Sequence, residues 1–94
     1  MPETNHRVTL DRERTLKFDY NSLCDVETAT GRNVAARLTS IDFTLLRGLL
    51  WAGLKHEDPD LTLEGVGELI RPRQIKKLTS AVAGALSDFF DEKN

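Results

Sequence analysis

Between Ile41 and His56 the chain reads IDFTLLRGLLWAGLKH, and no other stretch constrains the fold as tightly. Ile41, Phe43, Leu45, Leu46, Leu49, Leu50, Trp51 and Leu54 project around most of a helix circumference, with only Asp42, Thr44, Arg47 and Lys55 as a polar edge. One face cannot bury them all. A helix over residues 41–56, preceded by Ser40, therefore has to lie at the centre of the molecule or be covered by a partner. The chain has 94 residues, enough for one domain over residues 1–94 with one core, so few neighbours are on hand to cover it.

Those neighbours are legible from period and punctuation. Val8 and Leu10, then Leu16 and Phe18, alternate onto one face of two extended segments, residues 7–10 and 15–18. The charged tetrad Asp11-Arg12-Glu13-Arg14 between them has the length of a hairpin loop, although the usual Gly and Asn are missing. This predicts a β-hairpin over residues 7–19. A helix over residues 20–30 follows, with Asp19 or Asn21 as N-cap, Gly31 as left-handed stop, and a modest stripe around Tyr20, Leu23 and Val26. Residues 33–38 read as one helical turn. Glu57-Asp58-Pro59-Asp60 breaks the central helix, because Pro59 lacks an amide and disfavours helical geometry at Asp58. Thr62 then caps a helix over residues 62–70 carrying Leu63, Val66, Leu69 and Ile70. Gly65 and Gly67 weaken it by about 1 kcal/mol each relative to Ala, which implies close approach to a neighbouring helix. Pro72 ends that segment, and Ile75, Leu78, Val82, Leu86 and Phe89 make a regular stripe along a last helix over residues 73–91. The expected fold class is mostly α, a short N-terminal β-hairpin followed by three to four packed helices, with residues 1–6 and 92–94 frayed.

The chemistry on offer is sparse. Hydrophobic residues at 39% and charged residues at 30% suit a soluble globular chain and leave no room for a membrane span. A net charge of −2 argues against a protein that works mainly by neutralising nucleic-acid phosphates. The N-terminal sequence has no signal-peptide run, so the expected location is the reducing cytoplasm where the chain is made. Cys24 has no second cysteine to pair with or to share a zinc site with His6 and His56, and beside Leu23 it reads as a small buried apolar residue. His56 reads as a group facing a helix C-terminus. Glu57, Asp58 and Asp60 lack the alternating ligands, central Gly and closing Glu of a calcium loop. No catalytic group, cofactor or metal is expected, and the chain does not read as an enzyme.

Two binding readings remain. Residues 61–86, with Arg71, Arg73, Lys76 and Lys77 around the turn, have the outline of a helix-turn-helix, the basis for a DNA-binding regulator. Against it, the turn carries Pro72 and no glycine. Past Lys77 the helix offers mainly Ser80, Ala81, Ala83, Gly84 and Ala85, which have little to bond with base edges. The second reading starts from surplus apolar surface. Phe89 and Phe90 are helix neighbours and cannot face the same way, so one is left for a partner. Aromatics of this kind anchor interfaces, and the expected contact residues are Trp51, Leu54, Phe89 and Phe90, joined by Leu49 and Leu86.

Two stretches add a resemblance. Phe18-Asp19-Tyr20-Asn21-Ser22-Leu23-Cys24-Asp25-Val26-Glu27, ending in Thr30-Gly31, is one. The other is Leu46-Arg47-Gly48-Leu49-Leu50-Trp51-Ala52-Gly53-Leu54, continuing through His56 to Asp60, Leu61-Thr62-Leu63-Glu64 and Val66-Gly67-Glu68-Leu69-Ile70. Together they resemble the tail assembly chaperones of long-tailed bacteriophages and the related small tail proteins of gene transfer agents, in order over about residues 8–90. The resemblance implies a non-enzymatic protein that coats the aggregation-prone tape measure protein in the host cytoplasm and hands it to the tail tube protein. It also implies self-association, and correspondence to the short form where a frameshift makes a longer one. The family supplies no catalytic residue. A structural component of the tail is the remaining alternative.

Overall fold

The computed structural model describes residues 6–35 and 40–91. Two strands, β1 (His6–Thr9) and β2 (Glu13–Leu16), form an antiparallel hairpin and are followed by α1 (Tyr20–Thr30), α2 (Phe43–Leu54), α3 (Leu63–Leu69) and α4 (Ile75–Phe90). The chain is mostly α with a short N-terminal hairpin. Helix α2 packs against β2, α1, α3 and α4, and Leu45, Leu49, Leu50 and Leu54 have no exposed surface. The helix that needed cover from every side is the one at the centre.

Chain termini of the elements follow local chemistry. Asp19 accepts a bond from the Ser22 amide at 2.8 Å to start α1, and Gly31 closes it in the left-handed region at φ 70°. For α2 the cap is Asp42, accepting from the Leu45 amide at 2.8 Å, so the helix begins two residues later than the apolar run suggested. Its helical ladder stops at Leu54, short of the expected His56. Thr62 caps α3 through the Gly65 amide at 2.9 Å. Pro72–Gln74 forms a 3-10 turn because Pro72 fits a first turn but cannot continue α3, and α4 starts at Ile75. The turn expected over residues 33–38 lies partly outside the described residues.

The hairpin is tighter than the sequence implied. Val8 faces Arg14 and Thr9 faces Glu13, so the loop is Leu10-Asp11-Arg12 and half of the charged tetrad belongs to β2. A period of two then puts Arg14 on the same face as Leu16, and the arginine is only 4% exposed. It forms a two-pronged pair with Asp11, Nε to Oδ1 and Nη2 to Oδ2 both at 3.0 Å, while Nη1 has no hydrogen-bond partner and lies 3.7 Å from Asp58 Oδ2. This guanidinium holds the Asp11 carboxyl below its ordinary value, and Asp11 raises Arg14 in return.

The outer edge of β2 is held by the C-terminal end of α2 and the residues after it. The Lys17 amide donates to the Gly53 carbonyl at 3.0 Å. Thr15 donates its amide to Glu57 Oε2 at 3.2 Å, and its carbonyl lies 2.8 Å from His56 Nε2, which places the ring proton on that nitrogen. His56 is thus a tether to the strand and not the helix-end group expected. Gly53 permits the approach, since a Cβ there would lie 2.8 Å from Leu16 Cδ2. The close approaches expected of Gly65 and Gly67 fall on α2 instead. A Cβ at Gly65 meets its own cap, Thr62, at 3.1 Å, and one at Gly67 meets Arg47 at an ordinary 3.5 Å.

Candidate functional site

The residues expected to meet a partner do not share a surface. Leu49 and Leu54 are fully enclosed and Leu86 nearly so, because the elements around α2 close over them. A partner cannot touch these three without opening the core, so their part is structural. Trp51 is half-buried and fixed from two sides: its indole N–H donates to the Leu61 carbonyl at 3.0 Å, and Lys55 Nζ sits 4.6 Å from the ring centroid. Lys55 is itself tied to Asp25 at 2.9 Å. Trp51 pins the connection between α2 and α3. Phe89 packs on the core while Phe90, edge-to-face against it at 5.2 Å, is 47% exposed. The pair divides as neighbours on a helix must.

Two larger exposures were missed. Tyr20 is 75% exposed at the start of α1, and Phe43 is 74% exposed at the start of α2. Both stand next to the N-cap of their helix, in a first turn that the core does not reach, and Asp-aromatic at a helix start is the signal that could have flagged them. On α2, Phe43, Thr44, Arg47 and Trp51 fall along one edge, the only part of that helix not sealed by neighbours.

Phe43 stands at the lip of a groove. Phe43, Thr44, Leu46 and Arg47 form one wall, while Gly67, Ile70 and Ile75, from α3, the following connection and the start of α4, form the other. The space is about 280 Å³, near the lower limit for ligand pockets and suited to one or two side-chain anchors. Arg47 gives it a charge. Its Nε is shielded from solvent with no hydrogen-bond acceptor, and the side chain meets no carboxylate among the described residues. An N–H shielded without an acceptor is costly, so a carboxylate that reached Nε would relieve that cost.

The nucleophile and imidazole groups are apart from this groove. Cys24 is exposed, one step round α1 from the buried Leu23, and not the core residue expected. His6 pairs with Asp88 at 2.7 Å. Among the described residues no group of three or more His, Cys, Asp or Glu side chains could hold a metal ion, and no helix is long and apolar enough to cross a membrane.

Comparison of the chain with known protein families, with characterised proteins and with solved structures gives no match.

Proposed function

We propose that this chain is a non-enzymatic tail assembly chaperone that binds hydrophobic segments of a tape measure protein and keeps that client soluble until the tail tube forms. The observation that carries the reading is Phe43, a large aromatic left 74% exposed beside an apolar groove, in a chain whose other α2 side chains are almost all covered. Large aromatics beside an apolar groove are the residue type that anchors helical partners. Phe90, 47% exposed at the far end of α4, supplies a second apolar contact. The host cytoplasm, where client and tube protein are made, is the proposed location.

The test is co-expression with the product of the longest open reading frame immediately downstream, the candidate tape measure protein. The client is expected to stay in the supernatant and to co-purify with this chain, and Phe43→Ala is expected to return it to the pellet. A client that precipitates equally with and without the chain refutes the reading. Retention of the chain in purified particles would identify a structural tail component instead.

A second reading keeps one specific observation. Arg71, Arg73, Lys76 and Lys77 are all exposed where α3 meets α4, and none forms an ion pair among the described residues. A DNA-binding regulator would use them on phosphates and would retard duplex DNA with a steep salt dependence.

A further inference from the structure

The distribution of unpaired charge gives the groove a chemical preference. Arg7, Arg14, Arg32 and Lys55 each meet a carboxylate of this chain. Seven others meet none among the described residues: Arg12 and Lys17 at the hairpin, and Arg47, Arg71, Arg73, Lys76 and Lys77. The last five share one neighbourhood. Arg47 lines the groove, Arg71 and Arg73 lie in the short connection between its lining residues Ile70 and Ile75, and Lys76 and Lys77 directly follow Ile75. The acids on this side are few: Asp42 caps α2 and pairs with Arg32 at 3.6 Å, and Glu64 and Glu68 lie on α3. A chain of net charge −2 thus carries four exposed cations in and just after the segment that joins two lining residues of the groove, and in the lining itself an arginine whose Nε is shielded without an acceptor.

We infer that this groove binds an acidic amphipathic helix, whose apolar stripe rests on Phe43, Ile70 and Ile75 and whose carboxylates meet Arg47, Arg71 and Arg73. The inference rests on the chaperone reading above and adds the chemistry of the client segment. The charge pattern selects the occupant. An apolar stripe alone would satisfy Phe43 and the two isoleucines but would bury Arg47 further with no acceptor, whereas a carboxylate can take two of its N–H groups at once. A basic helix would be repelled by all five cations. Duplex DNA would satisfy the exposed cations but not the apolar floor.

Three synthetic helical peptides test this, sharing one leucine and phenylalanine stripe and flanked by glutamate, serine or lysine, titrated against the whole chain by fluorescence anisotropy. The glutamate peptide is expected to bind at least about tenfold more tightly than the lysine peptide, with the gap narrowing as salt rises. Arg47→Gln is expected to weaken the glutamate peptide by about tenfold, and Phe43→Ala by a similar factor, since both contacts are needed. Reversing the exposed charges with Arg71→Glu and Arg73→Glu keeps the test readable even where Arg47→Gln lowers stability. That variant is expected to favour the lysine peptide.

Equal binding of the glutamate and serine peptides would overturn the inference while leaving an apolar client, and so the chaperone reading, intact. Binding of a random-sequence duplex through the same cations, with no peptide bound, would overturn it in favour of DNA. Concentration-dependent self-association in sedimentation, abolished by Phe43→Ala, would overturn it in favour of a second copy. Failure of the client to stay soluble on co-expression, with the glutamate preference intact, would refute the chaperone reading alone.

Discussion

Replacing Gly53 by alanine should destabilise the fold, although alanine is the better helix former. A methyl group there would lie 2.8 Å from Leu16 Cδ2 and 3.1 Å and 3.2 Å from the Phe18 ring, against about 3.5 Å or more for a relaxed carbon contact. Leu16 is buried at 2% exposure, which restricts how far its Cδ2 can turn aside, so relief through the strand moves β2 by up to about 0.7 Å. That retreat stretches the 3.0 Å bond from the Lys17 amide to the Gly53 carbonyl beyond useful length. Overpacking of this kind costs about 1–3 kcal/mol, and the helix preference for alanine returns about 1, leaving a net loss near 1 kcal/mol. Gly84 in α4 is the internal control: a methyl group there meets nothing within 4 Å, so Gly84→Ala should gain about 1 kcal/mol. For a domain of this size each step moves Tm by about 4–8 °C. Thermal melts followed by circular dichroism should therefore show a fall for Gly53→Ala and a rise for Gly84→Ala. A rise for both would refute the packing of β2 on α2 described above.

Other expectations follow from single contacts. Leu54→Ala should cost about 2–5 kcal/mol in chemical denaturation, whereas Phe90→Ala, at an exposed site, should change stability by no more than about 0.5 kcal/mol; loss of client binding by the former alone would then report unfolding, not a lost contact. Trp51→Phe should lower stability by about 1 kcal/mol by leaving the Leu61 carbonyl without its indole donor, read from urea midpoints. Asp19 is held below its ordinary value of 3.8 by the Ser22 amide and hydroxyl, so its stabilising effect is complete above 3.8 and is lost as pH falls through the lower folded value. Asp19→Ala should accordingly cost about 1 kcal/mol at neutral pH, with wild-type and variant stabilities converging in acid. Asp11→Asn should behave alike, losing about 1 kcal/mol at pH 7 after allowance for the half-exposed carboxylate, and converging with wild type in acid because the Asp11 carboxyl is also depressed.

Reading the sequence reached the fold further than the site. Helix α1 was legible to the residue because both its ends carry local chemistry, Asp19 and Gly31, that acts without regard to the rest of the chain. The centrality of α2 was legible for a global reason, since its apolar residues outnumber any one face. Its boundaries were less so: hydrophobicity from Ile41 onward outweighed Asp42 as a cap in the reading, while in the fold the cap decides. Arg14 was misplaced because a run of charges suggests a loop, whereas burial of a paired arginine depends on Asp11 and Asp58, and Asp58 is remote in sequence. Leu49, Leu54 and Leu86 were taken for contact residues because no count of apolar side chains reveals how many neighbours will cover them. The groove was illegible for a related reason. Phe43 and Arg47 looked like an excess aromatic and a polar edge, and only the folding back of Ile70 and Ile75 turns them into one wall of a groove.

The way α2 grips the hairpin closes one edge of the sheet to an added strand. An exposed strand edge invites a passing extended chain to join the sheet, and aggregation-prone proteins exploit such edges. Here the Thr15 amide and carbonyl and the Lys17 amide are already taken by Glu57, His56 and Gly53, so β2 presents no free row of peptide groups on that side. An extended segment therefore cannot add to the sheet along that edge of β2. On the proposed chaperone reading, a segment held as a helix in the groove would have its backbone satisfied internally and would be kept from the extended conformation through which such segments stack on one another.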